Sequence, residues 1–170
     1  AIASNVDVSN VASADRLHVR LGGVELEGFD LAGGRQQLRG VTLIINRESA
    51  AALRAGYMLP YRGGGEAAQE LGATPLIQSD DPRIVGMARR IVGNSTNPVE
   101  AAQKLNDWVY RSLKKDITLS VPSALQVLEA RQGDCNEHTV LFVALARAIG
   151  LPTRTAVGLV SVRGRVYYHA

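Results

Sequence analysis

Hydrophobic and polar positions change rhythm along this chain. From Arg16 to Asn46 they alternate in short runs, RLHVRL, VELEGFDL and QLRGVTLII, separated by Gly22-Gly23 and Gly33-Gly34. Alternation with a period of two, bounded by glycine, predicts strands, and the region reads as a small antiparallel β region. Residues 47 to 75 hold ESAAALRAG, the turn-rich LPYRGGGE and AAQELGATP. They predict a short helix, a loop around Gly63 to Gly65 and a further short helical turn. From Pro82 the rhythm turns helical. Asp80 or Asp81 before Pro82 starts a helix running to about Gly93, and the Asn97-Pro98 pair starts another that reaches Leu113. Leu105, Trp108, Val109 and Leu113 form its apolar stripe, so Trp108 is read as core. Ser123 to Ala130 makes a shorter helix.

The helix that follows is of another kind. Val140, Leu141, Phe142, Val143, Ala144, Leu145, Ala146, Ala148 and Ile149 leave it almost no polar face, and a helix apolar all round belongs in the middle of a domain. Asp134 reads as its N-cap and Glu137 as the capping-box partner, while Gly150 and Pro152 close it. Beyond it, TRTAVGLV (153 to 160) and RVYYHA (165 to 170) have strand composition, with SVRG as a hairpin loop. In this second half of the chain helices come first and strands after them, which suggests α+β segregation.

Candidate chemistry concentrates at the start of that apolar helix. Cys135, the only cysteine, falls at its first position, where unpaired N–H groups and the positive dipole end favour a thiolate. The bland alternative is a small buried hydrophobe. His169, near the end of the second strand, supplies an imidazole that can take the thiol proton, which gives a workable nucleophile and base. For an oxyanion the candidate donors are the backbone N–H of Cys135 and the side chain of Gln132, the latter otherwise a polar loop residue. Asn136 is read as shaping the helix start. His138 lies three residues after Cys135. It reads as a half-buried imidazole with satisfied hydrogen bonds or as a second base; a zinc site from Cys135, His138, His169 and a carboxylate is the weaker reading, since a structural site wants four ligands. No cofactor or metal is expected. Tyr167 and Tyr168 point to opposite faces of their strand, so at most one reaches a cleft. His18, Arg35 and Arg39 read as exposed.

The stretch from about Asn97 to Ala170 resembles the transglutaminase-like core of bacterial proteins. The residues that carry the resemblance are NPVEAAQKLNDWVYRSLK, then PSALQVLEARQGDCNEHTVLFVALARAIGLPTRTAVGLV, then YYHA. It implies a papain-like cysteine fold: helices packed on a small antiparallel sheet, with the Cys at the N-terminus of a central buried helix. By resemblance, Cys135 is the nucleophile and His169 the base of a Cys-His-Asp triad. The resemblance also implies acyl transfer on amide or peptide bonds, as a thiol protease, amidase, isopeptidase or transamidase, with a peptide or protein as substrate. The alternative is a non-catalytic binding or scaffold module that retains a vestigial site.

The family's Asp lies on the strand after the His strand, and this chain stops one residue past His169. It also starts Ala-Ile-Ala, so both ends are expected to be cut from a longer protein. The core strands would then be incomplete, turnover weak, and one sheet edge open to self-association or to covering by another part of the chain. The domain reading is a β-rich region over 1–76, of unassigned function, and an incomplete core over 77–170.

Composition narrows the partners. With 46% hydrophobic but only 5% aromatic residues, the core must be aliphatic. The net charge of +3 comes from interspersed signs with no basic block, so nucleic-acid binding has little support. No apolar stretch reaches the ~18 residues of a membrane span. One cysteine forbids an internal disulfide but leaves the compartment open, extracytoplasmic or not.

Overall fold

The computed structural model describes residues 2–3, 13–49, 51, 53–117, 121–162 and 165–170. The chain forms two compact units, one of residues 1–53 and 160–167 and one of residues 54–159 and 168–170.

In the first unit, β2 (Arg16–Arg20), β3 (Gln36–Arg39) and β4 (Thr42–Asn46) form an antiparallel sheet in the order β2-β4-β3. Leu17 faces Ile45 and Val19 faces Leu43, while Leu38 meets Leu43 from the other side. The period-two pattern puts these apolar residues on one face and leaves His18, Arg35 and Arg39 exposed. VELEGFDL does not form the expected strand. Val24 and Phe29 in it are 63% and 69% exposed, and the segment is a turn-rich loop. Apolar composition without a facing strand has nothing to pair with. The helix expected over ESAAALRAG falls partly on residues outside those described; of the rest, Ala51 lies in a 3-10 turn and Glu48, Ser49 and Leu53 are not helical.

The second unit is helical, with α1 (Glu66–Gln69), α2 (Pro82–Val92), α3 (Pro98–Ser112), α4 (Ala124–Ala130) and α5 (Cys135–Ala148). Each longer helix starts on a polar cap. The Asp81 carboxylate accepts the Arg83 N–H, the Asn97 side chain accepts those of Val99 and Glu100, and Ser123 and Gln126 form a reciprocal capping box. Each then buries a stripe at helical spacing: Ile84, Ala88 and Val92 from α2; Ala101, Leu105 and Val109 from α3; Val127 and Leu128 from α4. These stripes close around α5, which touches α2, α3 and α4 and brings Leu141, Ala144 and Leu145 to zero exposure.

A third set of strands runs β1 (Ile2–Ala3), β8 (Arg165–His169), β7 (Gly158–Val162). β7 begins five residues later than TRTAVGLV predicts. Thr153 is already engaged elsewhere: its N–H reaches the Glu70 carbonyl at 3.2 Å and its carbonyl accepts the Arg147 Nε–H at 2.8 Å. Those bonds take the backbone groups that a ladder would need. Beside β8, Ile2 and Ala3 pair with Val166 and Arg165, so the chain itself covers the edge at those two residues.

Candidate active site

The site is built from a short loop between two helices. α4 ends on Arg131, the only described non-glycine residue at positive φ (55°), whose N–H caps the Val127 carbonyl at 2.9 Å. The αL residue turns the chain sharply. Arg131 is then held twice: its Nε–H donates to the Leu128 carbonyl at 2.7 Å, and its guanidinium lies 4.6 Å from the centre of the Trp108 ring. Next, β6 (Gln132–Gly133) runs parallel to β5 (Lys114–Lys115). Lys114 N–H bonds the Arg131 carbonyl at 2.8 Å and Asp116 N–H the Gly133 carbonyl at 3.2 Å. Main-chain atoms at the end of α3 thus fix the loop that delivers the thiol.

Cys135 follows at the first position of α5, half-buried and with a free thiol. Asp134 caps the helix, its carboxylate accepting the Asn136 N–H at 3.2 Å. Glu137 completes the capping box by accepting the Asp134 N–H at 2.9 Å. Glu137 is only 1% exposed. It fits beneath Gly133 so closely that a Cβ at 133 would stand 2.2 Å from the Glu137 Cβ. Gln132 is exposed, and no hydrogen bond of its side chain is seen among the described residues.

The His138 Nδ1 lies 2.6 Å from the Asp134 carbonyl oxygen. A carbonyl only accepts, so Nδ1 carries the proton. Nε2 is buried without a hydrogen-bond partner among the described residues, contrary to the satisfied ring expected for this residue. His169 ends β8 as an exposed residue, between exposed Tyr168 and half-buried Ala170. No hydrogen bond joins it to Cys135 among the described residues. Among those residues no group of three or more His, Cys, Asp or Glu is placed to hold a metal ion, and no helix is long and apolar enough to cross a membrane.

Several parts of this seat carry no signal in single-residue reading: the parallel pairing of β5 with β6, the αL turn at Arg131 and the stacking of its guanidinium on Trp108. Gln126 was within reach, because Ser123 and Gln126 stand at capping-box spacing before an apolar stretch.

A buried helix that opens on a capped cysteine, fed by a short loop and surrounded by amphipathic helices, defines a protein of the papain-like, cysteine-protease-like fold. Residues 85–170 match the transglutaminase-like superfamily, and the chain belongs to that superfamily. It is 29% identical over 94 residues to an uncharacterised protein of Haemophilus influenzae, covering 52% of this chain and 25% of that protein. The crystal structure of a candidate cysteine protease from Cytophaga hutchinsonii superposes with a TM-score of 0.50 at 21% identity, over 66% of this chain and 39% of the other. A candidate protease from Parabacteroides distasonis gives a TM-score of 0.38 at 16% identity, over 79% and 35%. The chain thus spans a quarter of the curated relative it matches.

Proposed function

We propose that this chain performs cysteine-dependent acyl transfer on amide or peptide bonds. One observation carries the reading: the only thiol of a transglutaminase-like chain stands at the first position of its central buried helix, on a loop held by main-chain bonds. Cys135 attacks the carbonyl carbon as a thiolate, with His169 taking the thiol proton. The developing oxyanion is met by the Cys135 N–H. This is one of the helix-start donors without an intrahelical acceptor, and the Asp134 carboxylate occupies its neighbours. Gln132, the other donor considered, is exposed and its side chain makes no hydrogen bond among the described residues, so no oxyanion role is assigned to it. As the tetrahedral intermediate collapses, His169 returns its proton to the leaving amine and a thioester remains on Cys135. Water resolves it to an acid, as in a protease, amidase or isopeptidase; an amine resolves it to a new amide.

The exposure of His169, and its lack of a hydrogen bond to Cys135, favour the second reading, a binding module that keeps the fold without the chemistry. Mass spectrometry of the full chain with peptide amides and esters separates the two. The expected result is a thioester adduct on Cys135 that is absent from Cys135→Ala, and amide turnover reduced at least about a hundredfold in His169→Ala. Tight peptide binding with no adduct on Cys135, from either amides or activated esters, would establish the binding module instead.

A further inference from the structure

A hollow of about 310 Å³ opens between the segment entering α4 and the start of α5. Val121, Pro122, Val127 and Ala130 wall it with apolar atoms, and Gln126, Gln132 and Glu137 supply its polar groups. Two of these belong to the nucleophile's own segment: Gln132 lies three residues before Cys135 and Glu137 two after. Residues two apart on a helix point about 200° apart, so the hollow flanks the helix start on the side away from the thiol. A peptide whose carbonyl reaches Cys135 must cross the helix start to enter it. That crossing is about 10 Å, roughly three residues of extended chain at about 3.3 Å each.

Its chemistry selects the occupant. Among the described residues the only ionisable lining group is Glu137, whose carboxylate already accepts the Asp134 N–H. An acidic side chain would meet that carboxylate with no cation among the described lining residues to balance it, and at 1% exposure Glu137 offers a basic one almost no surface to pair with. The four apolar walls favour an aliphatic group, and the volume lies at the lower end of ligand pockets, enough for one side chain with its stretch of backbone. At the rim, Gln126 has its Oε1 occupied by the Ser123 N–H at 2.8 Å, which leaves its NH2 to donate; Gln132 offers a whole carboxamide. Both are exposed and suit the N–H and C=O groups of a passing peptide.

We propose that this hollow is a remote specificity subsite, holding an aliphatic side chain about three residues from the reacting carbonyl. The proposal rests on the acyl-transfer reading above. Peptidyl fluoromethyl ketones that alkylate Cys135 test it on the full chain. Three probes suffice: a single-residue ketone, a tetrapeptide ketone with Leu at the third residue from the reacting carbon, and its Asp counterpart. The Leu tetrapeptide should react at least about tenfold faster than the Asp one, the scale of burying one aliphatic side chain. Ala130→Phe fills the hollow from an exposed position and should erase that advantage while leaving the single-residue rate unchanged. Val121→Asp, at a residue 74% exposed, should do the same from the opposite wall. Equal Leu and Asp rates in the wild type, or a Leu advantage that survives both substitutions, overturns the subsite. A Cys135 that reacts with iodoacetamide but with no peptidyl ketone, the single-residue one included, overturns the acyl-transfer reading itself and the subsite with it.

Discussion

Glu137 is a carboxylate with 1% of its surface exposed, at the mouth of a helix that is otherwise apolar. Burial of such a group is costly unless it is hydrogen-bonded, and here the Asp134 N–H donates to it. Removing the carboxylate should therefore cost more than changing its charge. We expect Glu137→Ala to lose about 2–4 kcal/mol in urea unfolding and Glu137→Gln, which keeps an acceptor of the same shape, to lose less. Gly133 is the matching half. Its φ of 155° and a Cβ placed 2.2 Å from the Glu137 Cβ leave no room for a side chain. Gly133→Ala should cost about 2 kcal/mol or more, and Gly133→Ala with Glu137→Gly, which removes the clashing Cβ as well, should cost less than the sum of the two. Strict additivity in that double-mutant cycle would contradict the contact. A capping box is a relation three residues long and can be read from spacing alone. That Glu137 packs under Gly133 is a matter of which flank of the helix faces the incoming loop, and no local rule carries it.

The apolar stripes of α2 and α3 and the all-round hydrophobicity of α5 are legible in the sequence, because helical spacing fixes which residues share a face. What escaped were features set by distant segments. Arg147, near the end of α5, has no local partner in the sequence, and its side chain is 8% exposed. It donates to the Thr153 carbonyl at 2.8 Å, the Gly72 carbonyl at 2.6 Å and the Glu70 carboxylate at 2.8 Å. Its bond to the Thr153 carbonyl takes one acceptor at the start of TRTAVGLV that a ladder would need. Arg147→Met should lose about 2–4 kcal/mol through the orphaned carbonyls, and Arg147→Lys, a point donor in place of a fork, should recover only part. α2 offers a test by pH. Arg83, mainly through its side-chain hydrogen bonds and also its N–H, holds the Asp81 carboxyl below the usual carboxylate range. A carboxyl lowered in the folded state adds stability above its unfolded value of about 3.9, and that contribution is lost as pH falls through the folded value. Wild-type stability should therefore decline on acidification below about pH 4, and Asp81→Asn should flatten the decline.

At the scale of the molecule, buried apolar surface is unevenly shared. The helical unit holds nearly all of the described core, whereas Leu43, at 9% exposure, is the single buried residue described in the β2-β4-β3 sheet. Local stability follows buried contacts. Amides of α5 should therefore be the slowest to exchange with deuterium, and those of β2 to β4 should exchange well before them. Limited proteolysis should cut first in the loop of residues 21–35, where Val24 and Phe29 lie exposed. Uniform protection across both units would refute this. The fold class was readable because the residues from Asn97 onward carry it densely. The division into units was less so, because residues 160–167 return to the first unit, and a return of that kind leaves no mark on local composition.

The two-residue ladder between β5 and β6 has a consequence for how this surface can change. Among the described residues, β5 is joined to the nucleophile's approach by N–H and C=O groups of Lys114, Asp116, Arg131 and Gly133, and no Lys114 side-chain atom takes part. The side chain of Lys114 is 73% exposed and, among the described residues, pairs with Asp116, a contact of the kind worth little. A backbone scaffold is indifferent to the side chains it displays. The rim can therefore be recoloured, acidic for basic, while the thiol keeps its place, and the same seat can be offered to substrates of different charge. Lys114→Glu should leave stability within about 0.5 kcal/mol of wild type and the iodoacetamide rate at Cys135 within about twofold, while changing which charged peptides approach.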